Sequence, residues 1–216
     1  MEQEILKDWQ KRVIQFLRSS DNWGNFYLTG GTALAAYYLH HRISDDLDFF
    51  SFNDIDSIFV HKIAEDLKNI IGASEMRFSR LYDRNQFFYT VNNEEYKVEF
   101  TKYPFAQLEE ANLFSNLKVD SEFDIAANKL LTIVDRFDPK DFVDLYYLLQ
   151  KYSLENLRQG VEKKFGTKLD FLTIGSSFGR VKNIVALPRM VRELSVDELK
   201  SFFSNEAKKL SSEILE

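Results

Sequence analysis

The chain has 216 residues, a formal net charge of −6 at pH 7, 44% hydrophobic and 15% aromatic residues, and no cysteine. Such a composition excludes global disorder, disulfides, thiolate nucleophiles and cysteine-based zinc sites. The length suits one large domain or two small ones with a sizeable core, and no apolar run approaches the roughly 18 residues that a membrane span requires.

The first segment, MEQEILKDWQKRVIQFL, is acidic and amphipathic, unlike a signal peptide; a cytoplasmic protein is expected. Its periodicity predicts a helix with Ile5, Trp9, Val13 and Phe16/Leu17 on one stripe. NFYLTGG reads as a short strand running into a turn, and TALAAYYLHH as a helix with Thr32 at its N-cap. SDDLDFFSF is strand-like, and DIDSIFVHKIAEDLKNIIG is a helix opened by acidic residues and closed by Gly72. EMRFSRLYD, QFFYTVNN and YKVEFTKYP read as consecutive strands joined at DRN and NNEE. From about Ser121 the period becomes helical. SEFDIAANKLLTIVDRF forms one helix and DPKDFVDLYYLLQKY another, with Asp138 as cap and Pro139 at the first position. Further helices are expected over 153–165 and 195–214. This order predicts an α/β (α+β) chain: a lobe over 1–118 with a mixed β-sheet flanked by helices, then a helical lobe over 119–216.

Charge is unevenly divided. Residues 1–150 carry 16 Lys/Arg against 25 Asp/Glu, whereas 151–216 carry 12 against 9. Within 163–192, Lys163, Lys164, Lys168, Arg180, Lys182, Arg189 and Arg192 face only Asp170. A stretch of that kind can hold a polyanion through its phosphates, and equally can be a solvated helix face.

Several features carry candidate chemistry. Gly30-Gly31 between a strand and a helix lets backbone N–H groups approach a ligand closely, and Thr32 adds a hydroxyl at the helix start, a place that suits a triphosphate. Asp46 and Asp48, two apart on a strand, project to one face, while Leu47 and Phe49 point into the opposite apolar side and Asp45 falls at the strand edge. Two parallel carboxylates repel unless a cation sits between them, and Mg²⁺, or Mn²⁺ in its place, prefers such oxygens. In YKVEFTKY, Tyr96, Val98 and Phe100 alternate with Lys97, Glu99 and Thr101, so Glu99 is the acidic member of a polar strand face. Beside the Asp46/Asp48 strand it becomes a third metal ligand or the base for an attacking hydroxyl. Later, Phe123, Ala126, Ala127, Leu130, Val134 and Phe137 form the expected buried stripe of 121–137, with Lys129 and Arg136 together along its edge. Asp141 and Asp144 share a face of the next helix, where Asp141 suits the first turn and Lys140 can pair with Asp144. His40 and His41 occupy adjacent positions that do not face one another and read as surface residues, with Arg42 a phosphate contact.

Gly-Gly-Thr before a helix, Asp-x-Asp on the next strand and a later strand acid resemble the nucleotidyltransferase superfamily related to DNA polymerase β. LTGGTALAAYYLHHRISDDLDFF and NKLLTIVDRFDPKDFVDLYYLL, about 80 residues apart, are together similar to the AbiEii/AbiGii-type family, which contains toxins of bacterial toxin–antitoxin and phage-abortive systems. The resemblance implies that Lys129 contacts the nucleotide and that the helical lobe completes the nucleotide site. It also implies an NTP substrate and an antitoxin partner, and it favours RNA as the acceptor, since relatives include enzymes that modify the acceptor end of tRNA. Three departures stand out: Thr32 replaces the usual serine, thirteen residues separate it from Asp46, and the third acid is glutamate.

The expected reaction is transfer of a nucleoside monophosphate from an NTP to an acceptor. Gly30, Gly31, Thr32, Arg42, Lys129 and Arg136 would bind the nucleotide. Asp46, Asp48 and Glu99 would hold the metal, and Asp141 and Asp144 would serve as scaffold or orient a lysine rather than bind metal. A small hydroxylated molecule such as an aminoglycoside, or a protein side chain, is the alternative acceptor; a nucleotide-binding module without turnover is the alternative class.

Overall fold

The computed structural model describes residues 5–19 and 25–213. Residue 214, the last of the expected C-terminal helix, lies outside them. The chain divides into two compact units, 1–106 with 110–121, and 107–109 with 122–216.

In the first unit, helix α1 (Asp8–Arg18) buries a face that carries Trp9, Gln10, Val13, Ile14 and Leu17. Gln10 is a polar member of an otherwise apolar stripe because it works as a clamp. Its Oε1 accepts from the Lys7 N–H at 2.9 Å, and its amide donates to the Ser44 carbonyl at 2.9 Å. The loop that leads into the acidic strand is thereby fixed at its base. Asp45 in the same loop pairs with Lys7 at 2.6 Å.

Strand β1 (Tyr27–Thr29) runs directly into helix α2, which is α-helical over Gly30–Ala33 and widens to a π-helix over Leu34–Leu39. Thr29, not Thr32, holds the N-cap position. Gly30 adopts φ +73°, and this left-handed conformation turns the chain from strand to helix three residues earlier than the expected cap. The π segment ends at His40, itself left-handed at φ 50°. That bend turns His41 and Arg42 inward; His41, expected at the surface, is 0% exposed, and Arg42 is 1% exposed.

Strands β2 (Leu47–Ser51), β3 (Glu75–Leu81), β4 (Arg84–Val91), β5 (Glu94–Lys102), β6 (Asn112–Phe114) and β7 (Leu117–Val119) join β1 in one seven-stranded sheet ordered β3-β4-β5-β2-β1-β7-β6. The β2–β5 and β1–β7 pairs are parallel and the other pairs antiparallel. Helix α3 (Ser57–Ile71) lies between β2 and β3 in sequence; Asp56 accepts from the Ile58 N–H at 2.8 Å at its start, and Gly72 closes it at φ 71°. Two-residue turns with both residues left-handed, Asn92-Asn93 and Ser115-Asn116, close the β4–β5 and β6–β7 hairpins. Leu28, Leu47, Phe49, Phe87, Tyr89, Val98 and Phe100 supply the apolar face of the sheet.

The second unit is helical: α4 (Glu122–Asp135), α5 (Pro139–Leu148), α6 (Leu154–Phe165), α7 (Phe171–Gly179) with a 3₁₀ turn over Arg180–Asn183, and α8 (Val196–Glu213). Its core gathers Phe142, Phe178 and Phe203, with ring centroids 5.1 and 5.0 Å apart about Phe203. The buried stripe of α4 is rotated from the expected one. Asp124, Ile125, Ala126, Ala127, Lys129, Leu130 and Ile133 are buried, whereas Phe137 lies beyond the helix and is 40% exposed. The rotation has a polar cause. Asp124 accepts from the backbone N–H groups of Leu108 and Glu109 and pairs with Lys164 at 2.6 Å, both side chains being fully shielded from water.

Candidate active site

The register of the sheet builds a polar row. Parallel pairing sets Asp48 directly opposite Glu99, antiparallel pairing sets Thr29 opposite Asp48 on the other side, and Gln86 lies opposite Glu99. Residues paired across strands share a face, so these four side chains stand on one side of the sheet and the phenylalanines Phe49 and Phe100 on the other. The row continues to Asp120, whose carboxylate accepts from the Thr29 hydroxyl at 2.8 Å.

At the centre of this face is a cation that the sequence pattern did not single out. The Lys97 ammonium lies 3.2 Å from Asp46, 3.5 Å from Asp48 and 3.4 Å from Glu99. Lys97 sits two residues before Glu99 on β5, so strand alternation alone aims both at the same place. The three expected acids are therefore brought together, but their environments differ. Asp46 and Asp48 retain 45% and 24% side-chain exposure, while Glu99 retains 2%. Glu99 Oε1 accepts from Arg84 Nε at 2.6 Å and from the Thr101 hydroxyl at 2.8 Å. Its Oε2 accepts from Arg84 Nη2 at 2.8 Å, Gln86 at 2.9 Å and Lys97 at 3.4 Å.

The electrostatics follow. Burial alone would push Glu99 up, but the hydrogen bonds from Arg84, Gln86 and Thr101 and the charge of Lys97 hold it at about 2. Asp48 goes the other way. Burial pushes it above the ordinary carboxylate range, Glu99 and Asp46 add to this, and Lys97 opposes it. Lys97 itself is held above its usual value because the three acids outweigh its burial.

The glycine pair is packed against this site. A Cβ on Gly30 would stand 2.8 Å from Asp48 Oδ2, and one on Gly31 would stand 2.6 Å from Arg42 Nη2. The backbone of the turn thus lies against the Asp48 carboxylate, which only a residue without a side chain permits. Thr32 donates its hydroxyl to the Asp46 carbonyl, so it fixes the backbone of the acidic strand rather than aiming into solvent. Arg42, expected as a phosphate contact, is buried against Gly31 and donates to the Ile43 carbonyl at 3.0 Å.

The second expected cluster lies in the helical unit. Lys129 pairs with Asp141 at 2.7 Å and with Asp144 at 2.6 Å, and Arg136 Nε donates to Asp141 at 2.9 Å. Asp144 turns to Lys129 across the helix pair rather than to Lys140 on its own helix. Burial raises the Asp141 carboxyl, but Lys129 and Arg136 more than reverse this and leave it below its ordinary value.

The basic stretch 163–192 is only partly a surface. Lys163, Lys168, Lys182, Arg189 and Arg192 are exposed, and Arg192 stacks its guanidinium 4.7 Å from the Tyr147 ring centroid. Lys164 is consumed by its buried pair with Asp124, and Arg180 donates to the Ile133 carbonyl.

Asp46 and Asp48 suit a hard divalent cation, since both are partly exposed carboxylates already converging on a positive charge. Glu99 suits one less well, because both of its oxygens are filled by donors. Among the described residues, no three His, Asp or Glu side chains stand in metal-ligand geometry, and no helix is long and apolar enough to cross a membrane.

The family described as "Nucleotidyl transferase AbiEii toxin, Type IV TA system" matches residues 15–213. A protein of Aquifex aeolicus described as uncharacterised is 29% identical over 213 residues, covering 94% of this chain and 96% of its own. Among solved structures, the fold is similar to that of a candidate nucleotidyltransferase from H. pylori, with TM-score 0.63 and 18% identity over 96% of this chain and 95% of that one. It is also similar to MenT4, a nucleotidyltransferase toxin from Mycobacterium tuberculosis, with TM-score 0.50 and 14% identity over 94% and 87%. The acids on the sheet, the glycine turn packed against them and a family match spanning nearly the whole chain lead to one conclusion: the chain belongs to the AbiEii family of nucleotidyltransferase toxins.

Proposed function

We propose that this nucleotidyltransferase moves a nucleoside monophosphate from an NTP to an RNA acceptor, using a divalent cation held by Asp46 and Asp48. The observation that carries the reading is the convergence of Asp46, Asp48 and Glu99 on one positive charge, with the Gly30 turn packed against Asp48. A divalent ion held by Asp46 and Asp48 would supply Lewis acidity toward the α-phosphate and the departing pyrophosphate.

The chain's own residues do the rest. The glycine pair brings backbone N–H groups close to the phosphates without a side chain in the way. Thr32 keeps the Asp46 backbone in register with them through its hydrogen bond. Lys129, fixed by Asp141 and Asp144, is assigned to the triphosphate, with Arg136 beside it on Asp141. Two buried carboxylates on one lysine leave little rotamer freedom, so less entropy is lost when a nucleotide is bound. Lys163, Lys168, Lys182, Arg189 and Arg192 supply exposed positive charge for an RNA backbone. Family membership implies an antitoxin as a further partner.

The test is label transfer from each α-³²P NTP with Mg²⁺ or Mn²⁺ to total RNA, total protein and a mixture of hydroxylated small molecules including aminoglycosides, with Asp48→Ala as control. Labelled RNA that disappears in the variant is the expected result. Label on an aminoglycoside or a protein would keep the chemistry and replace the acceptor. Nucleotide binding without label would leave a module without turnover, and absence of both would leave a fold without its reaction.

A further inference from the structure

Resting on the metal-dependent reading above, we propose that the site works with one divalent cation, and that the Lys97 ammonium, anchored by Glu99, provides the second positive charge that a two-metal arrangement would take from a second ion.

The argument begins with lone pairs. A carboxylate offers about two acceptor positions on each oxygen. Glu99 Oε1 already takes Arg84 Nε and Thr101, and Oε2 takes Arg84 Nη2, Gln86 and Lys97. With five donors on two oxygens, Glu99 has no position left for a metal. The arrangement is also costly to undo. The Arg84 contact is a two-pronged guanidinium–carboxylate pair, the strong form of a charge-assisted hydrogen bond, and Glu99 is only 2% exposed. Releasing it would strand a carboxylate beneath the polar face.

Asp46 and Asp48 differ. They meet Lys97 at 3.2 and 3.5 Å, much as Glu99 does at 3.4 Å, but unlike Glu99 both remain partly exposed, at 45% and 24% against 2%. A divalent ion binding oxygens at about 2.1 Å could draw these two carboxylates toward itself while Lys97 keeps Glu99 as its partner. The carboxylates then divide into an exposed pair that takes the metal and a buried one that holds two cationic side chains. Lys97 and the metal would stand a few ångströms apart on the same polar row, the relation two metal ions have in a paired site.

Two measurements test this. The first needs no variant: electron paramagnetic resonance of the wild-type protein with Mn²⁺ and a pool of non-hydrolysable α,β-imido analogues of the common NTPs. The expected result is the spectrum of isolated Mn²⁺, lost in Asp48→Asn. A spin-coupled pair would overturn the one-cation proposal and leave metal dependence intact. Absence of any protein-bound Mn²⁺ would overturn both. The second is Mn²⁺ affinity of Lys97→Met without nucleotide, its fold checked by circular dichroism. Removing a positive charge a few ångströms from the ion should tighten binding about tenfold or more. Unchanged or weaker affinity in the folded variant would show that Lys97 is not a competing cation.

Discussion

Asp48 and Glu99 are direct neighbours across the parallel β2–β5 pair, yet their carboxyl groups are displaced in opposite directions. Burial raises Asp48, whereas the donors of Arg84, Gln86 and Thr101 overcome burial at Glu99 and hold it at about 2. Adjacent positions on one sheet face thus separate into a structural acid and an acid that lacks enough positive charge. Pairs pushed apart in this way mark places where a protein has assigned different tasks to similar groups.

The Glu99 shift is a stability statement. A carboxyl depressed in the folded state contributes stability that is complete above its ordinary value near 4.5 and is lost as pH falls toward about 2. The size is on the order of 3 kcal/mol for such a shift. Glu99→Gln should therefore lower the urea midpoint at pH 7 and flatten the decline of wild-type stability between pH 4.5 and about 2. A wild-type acid limb unchanged by the substitution would show that Arg84 does not hold this carboxylate.

Asp48 predicts the reverse sign. Its raised value means that the ionised form is less favourable in the folded chain, so this group withdraws stability as pH rises through its folded value. In chelator-containing buffer at pH 7, Asp48→Asn should melt at a higher temperature than wild type. It should also lose transferase activity by about a hundredfold or more, since even groups one shell out from a metal are worth 10–100-fold. Stabilisation by added Mg²⁺ or Mn²⁺ should be present in wild type and absent in the variant. A variant that melts lower without metal would contradict the strain assigned to Asp48.

Much of this site was legible in the sequence, and what was not has identifiable causes. Alternation along SDDLDFF and YKVEF placed Asp46, Asp48 and Glu99 on polar faces, and the β2–β5 pairing brings those faces side by side. Lys97 shared the face with Glu99, but its importance depends on which strand lies alongside. Arg84 and Gln86 reach Glu99 only through the β4–β5 register, which the Asn92-Asn93 turn sets. Hairpin β6–β7 was not foreseen because three-residue strands leave no alternation to read. His41 was misplaced because one left-handed residue, His40, reverses which way the next side chain points. The α4 stripe was misread because Asp124 and Lys164 are 40 residues apart, and a buried ion pair looks like two surface residues until both are located.

Gly30 offers a test of the turn. Alanine there would adopt φ +73° at a cost of about 1–2 kcal/mol, and its Cβ would stand 2.8 Å from Asp48 Oδ2. Gly30→Ala should lower stability by about that amount and displace the Asp48 carboxylate, weakening Mn²⁺ affinity and activity together. Retention of wild-type Mn²⁺ affinity would mean that the turn does not constrain Asp48.

The basic stretch divides into two kinds of lysine, and substitution should separate them. Lys164→Ala leaves Asp124 buried without its cation, which costs about 3–5 kcal/mol. Its RNA-binding defect, if any, would therefore be confounded by unfolding. Lys163, Lys168 and Lys182 are exposed, so the triple alanine variant should keep its melting temperature within the small range usual for surface changes. If these lysines meet RNA phosphates, that variant should bind more weakly and show a shallower dependence of log affinity on log salt, by roughly 0.7 for each single-strand contact removed. Equal salt slopes in a folded triple variant would move the RNA surface elsewhere on the protein, while the sheet-face chemistry would stand unchanged.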